Sequence, residues 1–271
     1  MTSYTRSVFI VACGAAVVSA GVMLWNRMPM RSGDGRRELL LYCGAGIRPG
    51  ASAVIEAFTA KTGIKVVPTY EGSGQALGKI AAGAGGDLFM PGSEFYVDKA
   101  MAKGLVLRES KRTVAYFIPV LLVQKGNPKG IRTLSDLKKS GVRVGLGDER
   151  SAAVGQTTLE LLKKNHIQYD ELLHNVVYKS GTVDELGVAI QMRTVDVVIL
   201  WDVNAKHFKS CGEVIPIPPE QNVVSLIPAV VLTSSKNSKA AMEFIEFAAS
   251  SEGKKIMSEH GFTVDYPDDR R

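Results

Sequence analysis

Four short stretches of this 271-residue chain end an apolar run in small or hydroxyl residues just before a helical pattern begins. They are Gly44-Ala45-Gly46, Gly72-Ser73-Gly74, residues 151–155 with Val154 and Gly155, and Thr182-Val183. Each leaves backbone N–H groups without intrahelical partners at the positive end of a helix dipole. Taken one at a time, such a stretch is ordinary capping chemistry. Four converging on one cleft would hold an oxyanion through fixed N–H and hydroxyl donors. A charge-assisted hydrogen bond contributes about 1.5–3 kcal/mol. On the order of five or six would offset the desolvation of a small dianion and leave about −8 kcal/mol or better, a micromolar site.

Catalytic chemistry finds little support. His166, His174, His207 and His260 stand in helical or polar stretches, away from any Ser, Cys or carboxylate in a catalytic motif. GxSxG, HExxH and GxxxxGK[ST] are absent. Residues 145–155, GLGDERSAAVG, lack the third glycine of a dinucleotide loop. Cys43, beside the first stretch, is the one nucleophile worth naming, and it reads as a buried, inert thiol. The sequence therefore predicts a protein that is not an enzyme and carries no cofactor and no resident metal ion.

The elements that must position the four stretches alternate between strand and helix. Strands are predicted at 39–42, 65–70, 87–90, 142–146 and 195–201. Helices are predicted at 51–62, from 71–74 onward, from Ser93 to Ala102, at 152–164, 239–249 and 252–260. Thr182-x-x-Glu185 reads as a capping box opening a helix through Gln191. Pro68 points to an edge strand. The run 195–201 is apolar throughout, as in a strand covered on both faces. This is an α/β pattern with mainly parallel sheets flanked by helices.

Residues 116–128 and 225–237 share an Ile-Pro followed by an apolar run. If the chain leaves one lobe near 117 and returns near 228, these two crossover strands form a hinge. Lobe 1 is then 39–116 plus 229–264, lobe 2 is 117–228, and 265–271 is a tail. Ligand would enter a cleft at the strand ends.

The N-terminus differs from this body. Residues 7–25 carry no charge, the pattern of a signal peptide or an N-terminal membrane anchor, and 26–38 read as a polar linker. Residues 1–38 hold five Lys/Arg and two Asp/Glu, so the net charge of +6 falls to +3 in the remainder. That leaves no case for nucleic acid. Cys43 and Cys211 either pair outside the cytoplasm or stay free and buried.

From about Leu39 to Thr263 the chain resembles the periplasmic molybdate-binding proteins of ABC importers, within the type II solute-binding fold. The resemblance rests on residues 39–66, on YEGSGQALGKIAAGAGGDLFMPGSEFYVDKA (70–100), on the second-lobe loop from RVGLGD to VGQTTLELL, and on HGFT (260–263). It implies a two-lobe, extracytoplasmic binding protein, a monomer, that captures molybdate or tungstate and passes it to a permease. It also implies ligand contacts at Gly44, Ala45, Gly46, Ser73, Gly74, Val154, Gly155 and Val183. Trp201 falls where a tyrosine hydroxyl is usual, and Gly46 where a serine is usual. An indole N–H can replace the phenol as a donor. Arg48, two residues past Gly46, is the candidate for added charge. Glu71, Asp148, Glu149, Asp184 and Asp202 stand near these positions, and an acid in the cleft would repel a dianion. The two lost hydroxyls and these acids leave a second expectation: sulfate, phosphate, another oxyanion or a metal chelate. A third is a membrane-anchored sensor domain.

Overall fold

The computed structural model describes residues 38–266. The expected signal peptide or anchor at 7–25, the linker up to residue 37 and the tail from 267 lie outside the described residues. Among those described, no helix is long and apolar enough to cross a membrane.

Ten strands form two five-stranded sheets. The first contains β1 (Glu38–Gly44), β2 (Lys65–Glu71), β3 (Leu88–Met90), β4 (Arg112–Phe117) and β10 (Ser225–Val231), in the order β2-β1-β3-β10-β4. The second contains β5 (Pro119–Gln124), β6 (Val144–Gly147), β7 (Val176–Ser180), β8 (Val197–Trp201) and β9 (Gly212–Pro216), in the order β7-β6-β8-β5-β9. With their flanking helices the sheets make the two lobes of a periplasmic-binding-protein fold.

Each sheet is mixed where the sequence predicted mainly parallel ones. β1 pairs in parallel with β2 and β3, while β10 runs antiparallel to β3 and β4. β6 pairs in parallel with β7 and β8, while β5 runs antiparallel to β8 and β9. The cause is the crossing between lobes. β5 and β10 each begin where neighbouring strands end: Pro119 lies opposite Trp201, and Ser225 opposite Phe117. A strand arriving from the other lobe enters at the cleft end and must run away from it. β10 lies wholly in the first sheet from Ser225, so the chain returns before that residue and not at 228.

The helices are α1 (Arg48–Thr62), α2 (Ser73–Ala81), α3 (Glu94–Ala102), α4 (Ala153–Lys164), α5 (Val183–Gln191), the single turn α6 (Asp202–Ala205), α7 (Ser238–Ala249) and α8 (Ser251–Glu259). α1 has Pro49 in its first turn, where a missing N–H costs nothing. It stops at Gly63, whose φ of 72° is left-handed. Its Val54, Ile55 and Phe58 are buried, with Phe58 edge-on to Phe244 of α7 at 5.2 Å between ring centroids. Fully burying a side chain of this kind contributes about 1.5–3 kcal/mol. That contact fixes the helix whose N-terminus faces the cleft. Ser93 caps α3 by accepting from the Phe95 N–H.

The capping box at α5 does not form. Thr182 is the N-cap residue but makes no side-chain cap bond. Ser180 takes over both tasks: its Oγ accepts from the Thr182 N–H and donates to Glu185 Oε2 at 2.7 Å. A hydroxyl at the end of β7 thus satisfies the glutamate that the motif would have sent to Thr182.

Candidate functional site

The parallel strands of both sheets end facing one another, and a single small cavity lies between them. From the first lobe it is lined by Gly44 at the end of β1 and by the 3-10 turn Ala45–Ile47 that follows. The β2–α2 junction adds Glu71, Gly72 and Ser73, and Phe117 closes that side. From the second lobe come Ala152, Ala153 and Val154 at the start of α4, Gly181, Thr182 and Val183 at the start of α5, and Trp201. About 20 Å³ is open to the centre of a water molecule. One water needs roughly 10–15 Å³ on that measure, so the closed cavity suits an ion of a few atoms.

The lobes are latched around it by direct hydrogen bonds. The Gly74 N–H donates to the Ser151 carbonyl at 2.8 Å, the Tyr96 hydroxyl to the Ala152 carbonyl at 3.1 Å, and Asn204 Nδ2 to the Gly46 carbonyl at 3.2 Å. The approach is close enough to demand glycine. A Cβ on Gly74 would lie 1.9 Å from the Arg150 carbonyl oxygen, and one on Gly72 would lie 2.4 Å from that of Gly181. Asp148 holds the opposing loop by accepting from the Arg150 and Ser151 N–H groups and the Ser151 hydroxyl. Burial alone would raise its carboxyl, but these bonds and Lys179 keep it below the ordinary carboxylate range.

Of the ten expected ligand residues, Gly44, Ala45, Gly46, Ser73, Val154, Val183 and Trp201 line the cavity. Gly74, Gly155 and Arg48 do not. The Gly74 N–H is spent on Ser151. The Gly155 N–H bonds the Ala152 carbonyl, and its missing side chain lets α4 sit against Gly147 and Asp148, whose carbonyl oxygens a Cβ would approach to 2.5 Å. Arg48 is exposed, with its guanidinium 4.6 Å from the centre of the Tyr70 ring. Its charge opposes the effect of burial on Asp184, which raises that carboxyl. The donors at the cavity are therefore backbone N–H groups, hydroxyls and the indole.

Ser73 is buried, and its Oγ accepts from the Gly92 N–H at 3.0 Å. That bond uses a lone pair and leaves the O–H free to donate into the cavity. The absence of a hydroxyl at 46 has a steric cause. A Cβ there would lie 2.7 Å from Val183 Cγ1 and 3.3 Å from Trp201 Cδ1. Trp201, stacked on Phe117 with centroids 4.6 Å apart and rings 4° from parallel, occupies the space a serine would need.

Sequence reasoning did not assign Glu71, Phe117, Thr182 or Asn204 to the site. Glu71 adjoins the Gly72-Ser73-Gly74 stretch and Thr182 precedes Val183, so adjacency was the available signal. Phe117 and Asn204 reach the site only through pairing across the lobes. Glu71 holds Lys79 through Oε2 at 2.6 Å, while its Oε1 is buried with no hydrogen-bond partner among the described residues.

Both cysteines are free thiols; Cys43 is buried and Cys211 partly so. Burial pushes the Cys43 thiol up, against the depressed value a thiolate nucleophile needs. Among the described residues no group of His, Cys, Asp and Glu could hold a metal ion.

With this geometry in hand, the comparisons identify the class. The sequence profile of the bacterial extracellular solute-binding proteins matches residues 39–263, and the chain belongs to that family, which is one of binding proteins and not of enzymes. A Haemophilus influenzae protein named only as a binding protein is 31% identical over 228 residues, covering 83% of this chain and 90% of its own. The molybdate-binding protein ModA of Mycobacterium tuberculosis is 22% identical, with 93% of this chain and 92% of that one covered. Among solved structures, the sulfate-binding protein SubI from Mycobacterium tuberculosis superposes with a TM-score of 0.76 at 23% identity, covering 86% and 88%. The periplasmic molybdate-binding protein of Azotobacter vinelandii gives 0.68 at 18%, covering 84% and 100%. At these identities the solved structures speak for the fold alone.

Proposed function

We propose that this protein captures a small tetrahedral oxyanion between its lobes, outside the cytoplasm, and delivers it as a monomer to the permease of an ABC importer. The observation that carries this reading is the small closed cavity walled by the starts of α2, α4 and α5 and the turn before α1, with Ser73 and Trp201 as side-chain donors. Fixed N–H donors cost no reorganisation when the ligand enters, and burial of the anion strengthens each bond. A ligand that touches both lobes stabilises the closed state and so drives closure.

Molybdate or tungstate is the first ligand, supported by the molybdate-binding relatives and by the matched loops. Sulfate and phosphate form a second reading. It is favoured by the missing hydroxyls at 46 and 201 and by a carboxylate, Glu71, at the cavity. Calorimetry of the purified protein against molybdate, tungstate, sulfate and phosphate separates them. Heat with the first pair alone supports molybdate or tungstate import, and heat with the second pair alone replaces it. Elemental analysis of protein purified from metal-rich medium gives an independent answer, because bound molybdenum or tungsten would be retained.

A further inference from the structure

Glu71 is the one acid at a cavity otherwise walled by donors and apolar groups. Its two oxygens have different surroundings. Lys79, on the outer side of α2, holds Oε2 at 2.6 Å. Oε1 is buried and lacks a partner among the described residues. A buried acceptor without a donor is costly, and such groups in native proteins call for an explanation. An ordinary dianion makes the situation worse, because it brings only acceptors to face another acceptor.

Two neighbours limit what else could answer Oε1. The Ser73 hydroxyl is on the same junction, but its Oγ is tied to Gly92. Gln75, the other polar side chain there, turns its Oε1 to the Gly72 N–H at 3.1 Å. The remaining source of a donor is the ligand. Sulfate, molybdate and tungstate carry no proton near neutral pH, whereas phosphate and arsenate keep one as hydrogen phosphate and hydrogen arsenate.

We propose that Glu71 is a specificity-determining residue that accepts the O–H of a proton-bearing tetrahedral oxyanion, so that the site takes hydrogen phosphate or its arsenate analogue in preference to fully deprotonated anions of the same shape. The proposal rests on the reading of the cleft as an oxyanion site and deepens it. The ring of N–H donors takes the charged oxygens, and Glu71 takes the protonated one. Sites built around a ligand hydrogen bond reject analogues that lack the matching group, by ratios that reach about 10⁴.

Calorimetry at about pH 8 with phosphate, arsenate, sulfate and molybdate tests this in the unaltered protein and in Glu71→Gln. The unaltered protein is expected to bind phosphate and arsenate at least about tenfold more tightly than sulfate and molybdate. In Glu71→Gln the amide can donate, so phosphate should weaken by about tenfold and sulfate should strengthen by a similar factor. A thermal melt matching that of the unaltered protein confirms that the variant is folded. Tighter binding of sulfate or molybdate than of phosphate by the unaltered protein overturns this proposal and leaves the oxyanion reading standing. An unchanged phosphate-to-sulfate ratio in a folded Glu71→Gln also overturns it. If none of the four anions binds the unaltered protein, the oxyanion reading fails and the proposal fails with it. The ranking in the unaltered protein needs no variant, so the test survives a variant that does not fold.

Discussion

The first lobe meets the cavity with reactive side chains, the Glu71 carboxylate and the Ser73 hydroxyl, each pinned by a neighbour on its outer side. The second lobe meets it with the small or apolar residues Ala152, Ala153, Val154, Gly181 and Val183, with Thr182 and Trp201 as its polar contributors. One half therefore distinguishes ligands by the pattern of donors and acceptors it presents. The other supplies backbone N–H groups and a wall whose position sets the size. Changes on the first half should alter the ranking of anions, whereas changes at the contact between halves should weaken all anions together.

The largest expected effect is at that contact. Gly74→Ala places a methyl against the Arg150 carbonyl, a backbone atom that cannot step aside, and blocks full closure. Affinity for every bound oxyanion should fall about a hundredfold, about 2.8 kcal/mol at about 1.4 kcal/mol per decade, with the ligand-free melting temperature unchanged. Calorimetry and a thermal melt check both halves of that statement. Retained affinity would mean that the two lobes need not meet at Gly74.

Ser73→Ala removes a hydroxyl donor from the first lobe. A loss of about 1.5–3 kcal/mol is expected, read as a shift in dissociation constant. Equal affinity in the two proteins would take Ser73 out of the site.

Gly46→Ser would restore the usual hydroxyl but drive its Cβ into Val183. Overpacking of this kind costs about 1–3 kcal/mol, so binding should weaken about tenfold despite the added donor. Recovery in Gly46→Ser combined with Val183→Ala would assign the loss to the wall and not to the chemistry.

A smaller effect concerns the Asp148 loop. Because the native carboxyl is held below its ordinary range, it contributes stability above the unfolded value of about 3.9 and loses it as pH falls through the lowered native value. Asp148→Asn keeps an acceptor but does not titrate. Its acid-induced loss of stability should be shallower than the parent's below about pH 4, by thermal melts across that range.

The smallest effect belongs to Arg48→Ala, which removes an exposed side chain resting on Tyr70. Surface changes of this kind stay within about 0.5 kcal/mol, so oxyanion affinity should move less than about threefold. A tenfold loss would return the arginine to the site.

What could be read from the sequence was local. The apolar run that stops at Gly44, the Pro49 start and Gly63 stop of α1, and the Ser93 cap are each set by a few adjacent residues, and the structure places them as expected. The misreadings share a different origin. Gly74 looked like a bare donor because its partner, the Ser151 carbonyl, is 77 positions away on the other lobe. Thr182 and Glu185 fitted a capping motif, but Ser180 outcompeted it from the preceding strand. The sheets looked parallel because the direction of β5 and β10 follows from which lobe they come from, a fact of topology with no local signature. Glu71 was noticed as an acid near the loop, but only the pairing with Lys79 shows that one oxygen is satisfied and the other is not.

The fit between Gly46 and Trp201 has a consequence for how such proteins change over generations. Each residue makes room for, or fills, the space left by the other, so neither position is free to vary alone. A lineage moving from serine and tyrosine to glycine and tryptophan passes through an intermediate that is either overfilled or hollow. The two positions should therefore covary across relatives, glycine with tryptophan and serine with the smaller ring, and a pair that breaks this rule should carry a compensating change at 183.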